Sequence, residues 1–261
     1  MINTTSFLSF LNSLTLVLRI LIIALIPAIL TAVGSIPILF YTFTEFKYRS
    51  LALGFSAGIM LVAAFTSLLI PAINIGGTSI SVLGFIIGLL IIRILDKLIP
   101  HEHFERGYEG PEITGVQLKK MWLLTLAMII HNIPEGMAVG ASTIYDIKEG
   151  LLVAIAIGLQ DLPEGLAVAM PFASTRKGRL KGFIIGVLSG VSETLAALIP
   201  LMIILYISTA LPILMALAAG AMIYVVIHEI IPDIMDGKYS EEASIGFFIG
   251  FIVMLVLDSI I

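Results

Sequence analysis

The stretches His131-Asn132-Ile133-Pro134-Glu135-Gly136 and Gln160-Asp161-Leu162-Pro163-Glu164-Gly165 lie 29 residues apart inside long apolar runs. Between them they hold three carboxylates, one imidazole and two side-chain amides. A run of about 20 apolar residues crosses a bilayer, so both stretches read as the middle of membrane helices. Ionisable residues in that position mark binding sites or ion pathways by default. The link between the two runs is short, which makes the helices antiparallel. Their Pro-Glu centres then meet near mid-membrane, as the two halves of many carrier sites do.

The rest of the chain fits that setting. Of its 261 residues 59% are hydrophobic and 12% charged, against roughly 45–50% and about 25% for a soluble domain. An all-α membrane protein is expected, forming one transmembrane domain over residues 1–261. The 23 glycines and 11 prolines, mostly within apolar runs, suit close helix packing in lipid. A net charge of −4 gives no electrostatic basis for nucleic-acid binding. With no cysteine, disulfides and thiolate metal sites are excluded, and any metal must be held by nitrogen and oxygen. Residues 1–18 have neither a basic leader nor a small-residue cleavage site. They read as retained, and as an interfacial helix in preference to the outer end of the first span.

Eight apolar segments are long enough to span, near 19–43, 51–73, 79–99, 119–143, 149–173, 181–207, 210–233 and 243–261. Lys47, Arg49, Lys97, Arg106, Lys119, Lys120, Arg176, Lys177, Arg179, Lys181 and Lys238 fall in or beside the links after the first, third, fifth and seventh. The bias of Lys and Arg toward cytoplasmic links makes those ends cytoplasmic and both termini extracytoplasmic. Arg19 and Lys148 are left near the outer face, and Arg93 within the third span. The longest link, about 100–118, is acidic, with Glu102, Glu105, Glu109 and Glu112, and reads as a mobile cytoplasmic loop.

Residues three or four apart share a helix face. His131 and Asn132 therefore point with Glu135, and Gln160 and Asp161 with Glu164. Two such faces opposed form a ring of one imidazole, two amide oxygens and three carboxylates, a donor set suited to divalent cations. Each proline removes an amide hydrogen bond and crowds the carbonyl four residues back, so a kink is expected at Pro134 and at Pro163. Gly136 and Gly165 let neighbouring helices approach. Glu193, in the sixth span, adds a fourth acid at plausible ligand depth, the plainer reading being a hydrogen bond to Ser189 or Ser192. Four carboxylates against one histidine favour two bridged ions over one. Because ligands bind metal deprotonated, binding should release protons.

Weaker candidates lie elsewhere. His228-Glu229-Ile230-Ile231-Pro232 has the opening of a zinc-protease helix, but proline stands where the second histidine belongs. A metal relay near the cytoplasmic end of the seventh span is its functional reading, interfacial polar residues its plain one. His101 and His103 flank Glu102 in the long loop, and Asp96 and Asp258 sit near the ends of the third and eighth spans.

Taken together these residues resemble the ZIP (Zrt-, Irt-like) family of divalent metal transporters, prokaryotic type. The similarity runs through the paired P-E-G motifs, Gly54 to Ala72, Leu95-Asp96 with Pro100-His101, Ser189 to Ala196, His228 to Pro232 and Leu255 to Asp258. The resemblance implies eight helices with a metal site between the fourth, fifth and sixth. It implies one ion held by His131, Glu135, Gln160 and Glu164, and a second, sharing both glutamates, held also by Asn132, Asp161 and Glu193. It implies that His228, Glu229, Asp96, His101, His103 and Asp258 assist exit toward the cytoplasm. It implies that the first, fourth, fifth and sixth helices move against the other four, and that the protein forms a homodimer in the lipid of the cell membrane. The expected activity is transport of zinc, with cadmium, iron, manganese and cobalt as alternatives, into the cytoplasm by alternating access. No enzyme activity, organic cofactor or nucleic-acid partner is expected. The competing readings are an intramembrane metallohydrolase built on Glu229 and a proton or monovalent-cation carrier using Asp161 and Glu193 as its relay.

Overall fold

The structure, a computed structural model, describes residues 4–40, 46–98, 101–103, 107–109, 118–170, 176–235 and 239–260. The side chains of 101–129 lie outside that description. Among the described residues every element is helical apart from one short ladder. The chain begins with α1 (Thr4–Ser13) and α2 (Leu16–Ser35), the latter prolonged by a 3₁₀ turn, Ile36–Leu39. The first residues thus form a separate helix. Arg19 holds it there, its guanidinium donating to the carbonyls of Leu11, Asn12 and Leu14 at 3.1–3.4 Å. Those carbonyls lie at and just beyond the end of α1, where the regular intrahelical donors run out.

Next come α3 (Phe46–Ala63), a π-helical turn (Ala64–Leu69) and α4 (Ile70–Gly76). Gly77, with φ +78°, reverses the chain into α5 (Thr78–Leu98). Only a glycine adopts that φ without strain. The link that follows carries a two-stranded antiparallel ladder, β1 (His101–His103) with β2 (Gly107–Glu109), so local order replaces part of the expected mobile loop.

The motif-bearing helices are α6 (Leu118–Tyr145) and α7 (Ile147–Ala169). A single residue, Asp146, joins them. Its carboxylate caps α7 by accepting from the amides of Lys148 at 2.7 Å and Glu149 at 3.3 Å, as an extended Asp ahead of a helix does. His131 lies 14 residues before the end of α6, and Gln160 lies 13 residues after the start of α7. At roughly 1.5 Å per residue, the two patterns stand at one depth.

The chain ends with α8 (Arg176–Ala196), α9 (Leu198–Ile204), α10 (Leu211–Val225), a π turn (Val226–Ile230), α11 (Ile231–Met235) and α12 (Ser240–Ile260). The sixth span, expected near 181–207, is present as Gly178–Ile204 with a turn at Ala197, where Pro200 has no amide proton for the carbonyl of Ala196. Pro134 and Pro163, by contrast, sit inside continuous helices. The irregular hydrogen bonding appears one residue or so ahead of Pro71 and Pro232, as π turns, where a lost bond is absorbed by a wider turn instead.

Among the described residues, seven segments are long and apolar enough to cross a membrane: Leu16–Leu39, Ser50–Gly76, Thr78–Leu95, Ile147–Ala169, Gly178–Ile204, Leu211–Ile230 and Ser240–Ile260. They pack in two groups. In one, α2 lies on α7 and α8, and α6 lies on both of these; in the other, α3 lies on α12 and α5 on α10. The groups meet where α3 crosses α7 and α10 crosses α6. Small residues set the spacing, since lipid supplies no hydrophobic drive between helices and van der Waals packing must do so. At the α3–α12 contact the relation is reciprocal: Gly54 lies on the carbonyl of Ala243, and Gly246 on that of Leu51. Large apolar side chains such as Ile86, Leu188 and Ile252 point outward.

Candidate metal centre

Glu135 on α6 and Asp161 and Glu164 on α7 each place a carboxylate oxygen within 4.8 Å of the other two, all three buried. Their helical spacing and the one-residue turn between α6 and α7 bring this about. Gln160 steadies the group, its amide donating to Glu135 at 2.5 Å. Glu193 arrives from α8, 1% exposed, and forms a side-chain hydrogen bond with Asp161. It therefore joins the acid cluster and leaves Ser189 and Ser192 to another residue. That residue is Asn132, whose amide donates to the carbonyl and hydroxyl of Ser189 at 2.6 and 2.8 Å and to Ser192 at 3.4 Å.

Four buried carboxylates in apolar surroundings need cations or protons. Among the described residues no Lys or Arg pairs with any of them. One oxygen each of Glu135, Glu193 and the Gln160 amide is buried without a hydrogen-bond donor. Unpaired acceptors at such depth are costly, and a divalent ion bound by oxygen is the partner this donor set suits.

His131 lies near Glu164, and its ring is also engaged by a further acid. His131 turns its Nε2 to a carboxylate oxygen of Glu229, in the π turn after α10. Glu229 is 4% exposed and its other carboxylate oxygen lacks a donor. It thus lies beside the central motif and not at a separate cytoplasmic end. Its neighbour His228 is exposed and stacks near Tyr224, ring centroids 4.8 Å apart. Asp258 accepts from Ser67 at 3.4 Å and lies, with Asp146, close to Glu149 at the start of α7. That is the α6–α7 turn, not the end where α6 begins. The side chains of Asp96, His101 and His103 lie outside the described residues.

Two hydroxyls belong to the site that the motifs do not announce. Thr31 of α2 donates to Asp161 at 3.2 Å, and Ser56 of α3 donates to the carbonyl of Gln160 at 3.1 Å. The only sequence signal is a buried-type hydroxyl amid apolar residues, which many helix-packing positions share. Glycine makes the assembly compact. A Cβ on Gly136 would collide with the carbonyl of Glu193, and one on Gly165 with that of Thr31.

Comparison with known proteins points the same way. Residues 108–258 match the family described as ZIP Zinc transporter. Over 239 residues the chain is 37% identical to the zinc transporter ZIPB of Bordetella bronchiseptica, covering 88% of this chain and 77% of that one. It is 34% identical over 248 residues to the zinc transporter GufA of Myxococcus xanthus, with 91% and 97% covered. With the zinc transporter ZupT of Lysinibacillus sphaericus it shares 32% identity over 253 residues, 90% and 94% covered.

Proposed function

The chain belongs to the ZIP zinc transporter family, and we propose that it carries zinc across the cell membrane through the buried carboxylate cluster. The observation that bears most weight is the meeting of Glu135, Asp161 and Glu164 within 4.8 Å, with no Lys or Arg pairing them among the described residues. The relatives are transporters and not enzymes, and Pro232 in the place of a second histidine argues independently against a zinc hydrolase.

The finer reading has eight spans, α6 being the eighth, since its 28 residues exceed what a bilayer requires. Two ions share Glu135 and Glu164. One is completed by Gln160 and His131, the other by Asp161, Glu193 and Asn132. The first ion needs His131 to leave Glu229, and the second needs the oxygen of Asn132, since its nitrogen is engaged with Ser189. The group α2, α6, α7 and α8 carries the ions against the group α3, α5, α10 and α12, and uptake runs toward the end bearing most of the Lys and Arg. Asp258 and Ser67 stand at the outer mouth. His228, Asp96, His101 and His103 serve the inner one. Assembly is as a homodimer. The thiolate-free ligand set leaves cadmium, iron, manganese and cobalt as competing cargo.

Purified protein in vesicles loaded with a zinc-responsive dye tests this reading. Zinc should enter with wild type and not with E135Q/E164Q. Equal entry in both, or none in wild type, refutes it.

A further inference from the structure

Arg93 is a cation inside a membrane span that no carboxylate among the described residues pairs. It lies in the apolar segment Thr78–Leu95, and its side chain is exposed, as is that of Lys97 one turn further along α5. The buried stripe of this helix is Ser81, Gly84, Gly88 and Ile92, where Gly84 and Gly88 rest on the backbone of Ile213 and Leu217 in α10. At 100° per residue, Arg93 and Lys97 lie on the opposite face, 40° apart. They share it with Val82, Leu83, Ile86 and Leu90, all more than 40% exposed. That face is exposed on the outside of the bundle. Among the described residues no carboxylate pairs with either cation. Asp96, which lies between them in sequence, can neutralise at most one.

We propose that Arg93 and Lys97 bind the headgroup of an anionic phospholipid in the leaflet at the Leu98 end of α5. A charged side chain on the lipid face of a span is costly unless it snorkels to polar groups or is paired, and intramembrane ionisable residues ordinarily turn into the bundle. Arg93 turns out of it. A guanidinium fits phosphate oxygens in bidentate fashion, and an ammonium adds a point charge beside it. Two cations in van der Waals continuity with an apolar stripe match a ligand with an anionic head and acyl tails. The charge bias of the links makes this the cytoplasmic leaflet, where anionic lipids attract Lys and Arg. A second copy of the chain fits the face poorly. A two-fold contact sets the same patch against itself, which brings like charges together. Nothing here depends on which ion the protein carries. The consequence is mechanical: a bound lipid would hold the group containing α5 at fixed depth in the bilayer.

Native mass spectrometry of the full chain in detergent, titrated with phosphatidylglycerol or phosphatidylcholine, tests the proposal. Wild type should retain phosphatidylglycerol at least about fivefold better, one cation's share at an anionic surface. R93Q/K97Q should lose that preference, while R93K and the distant K148Q keep it. High salt should weaken it in wild type, a readout that needs no variant to fold. No preference in wild type, equal retention by R93Q/K97Q, or a preference unmoved by salt overturns the proposal. So does a wild-type dimer that dissociates in R93Q/K97Q without loss of lipid, which would assign the face to a second copy.

Discussion

Glu229 bonds the Nε2 of His131, joining the first of the paired motifs to the π turn ahead of Pro232. The contact ties one helix group to the other, since α6 belongs to the first and α10 to the second. It also engages the imidazole that the proposed zinc site requires. The ring nitrogen cannot serve the carboxylate and a metal at once, so the two states compete.

That competition predicts the effect of E229Q. A hydrogen bond to a charged group contributes about 1.5–3 kcal/mol and a neutral one about 0.5–1.5. Replacing the carboxylate by an amide should free His131 and tighten zinc binding by about fivefold, whereas H131A weakens it. Competition titration with a chelating indicator checks this. Weaker binding by E229Q would mean that Glu229 is itself a ligand.

Removal of the shared glutamates should abolish metal stabilisation. A ligand at 100 times its Kd stabilises by about 2.7 kcal/mol, which is about 5–10 °C in Tm for a chain of this size. E135Q/E164Q should show no zinc-dependent shift. E193Q should keep a smaller shift and bind one zinc where wild type binds two, counted by elemental analysis after desalting. Two ions in E193Q would remove α8 from the second site.

The acid cluster was legible because two features coincide in the sequence: i, i+3 and i, i+4 spacing, and a repeat on adjacent antiparallel runs. Those fix which side chains share a face before any packing is known. Thr31 and Ser56 were not legible, because their role comes from α2 and α3 crossing α7, a long-range relation with no local pattern. The exit-side position expected for Glu229 rested on its place in the sequence near the cytoplasmic end of the seventh span. The π turn at Val226–Ile230 changes which way that stretch points and brings Glu229, but not His228, inward. Pro134 and Pro163 lie within continuous helices, since one missing amide bond leaves a helix continuous when neighbouring helices pack around it, whereas Pro200 coincides with the break between α8 and α9.

Zinc binding should also be coupled to protons. Carboxyl and imidazole ligands coordinate metal in their deprotonated forms, so protons and zinc compete for the same atoms. Affinity should fall as pH is lowered. The calorimetric binding enthalpy should vary with the ionisation enthalpy of the buffer, its slope giving the protons released. A slope of zero at every pH would mean that the cluster is already fully ionised without metal.

The closeness of α6 and α8 should be as necessary as the ligands. Gly136 has the carbonyl of Glu193 where a Cβ would stand, with the Ala196 methyl and the Ala197 amide just beyond. The first polar neighbours of that contact are Asn132 with Ser189 and Glu193 with Asp161. G136A must therefore push α8 outward by its backbone, because no flexible side chain is available to yield. A cost of about 2 kcal/mol lies within the range for overpacking, and corresponds to about 4–8 °C in Tm for a chain of this size. Displacement of α8 also withdraws Glu193 from Asp161, so G136A should lose the second zinc while keeping every ligand side chain. N132L should destabilise by a comparable amount, since it takes the Asn132 amide from the Ser189 hydroxyl and leaves the Ser189 carbonyl only the Ser192 hydroxyl as a side-chain donor. Thermal unfolding with and without zinc separates the two effects. A G136A protein with wild-type Tm and two bound ions would show that the α6–α8 spacing is not what holds Glu193 in place.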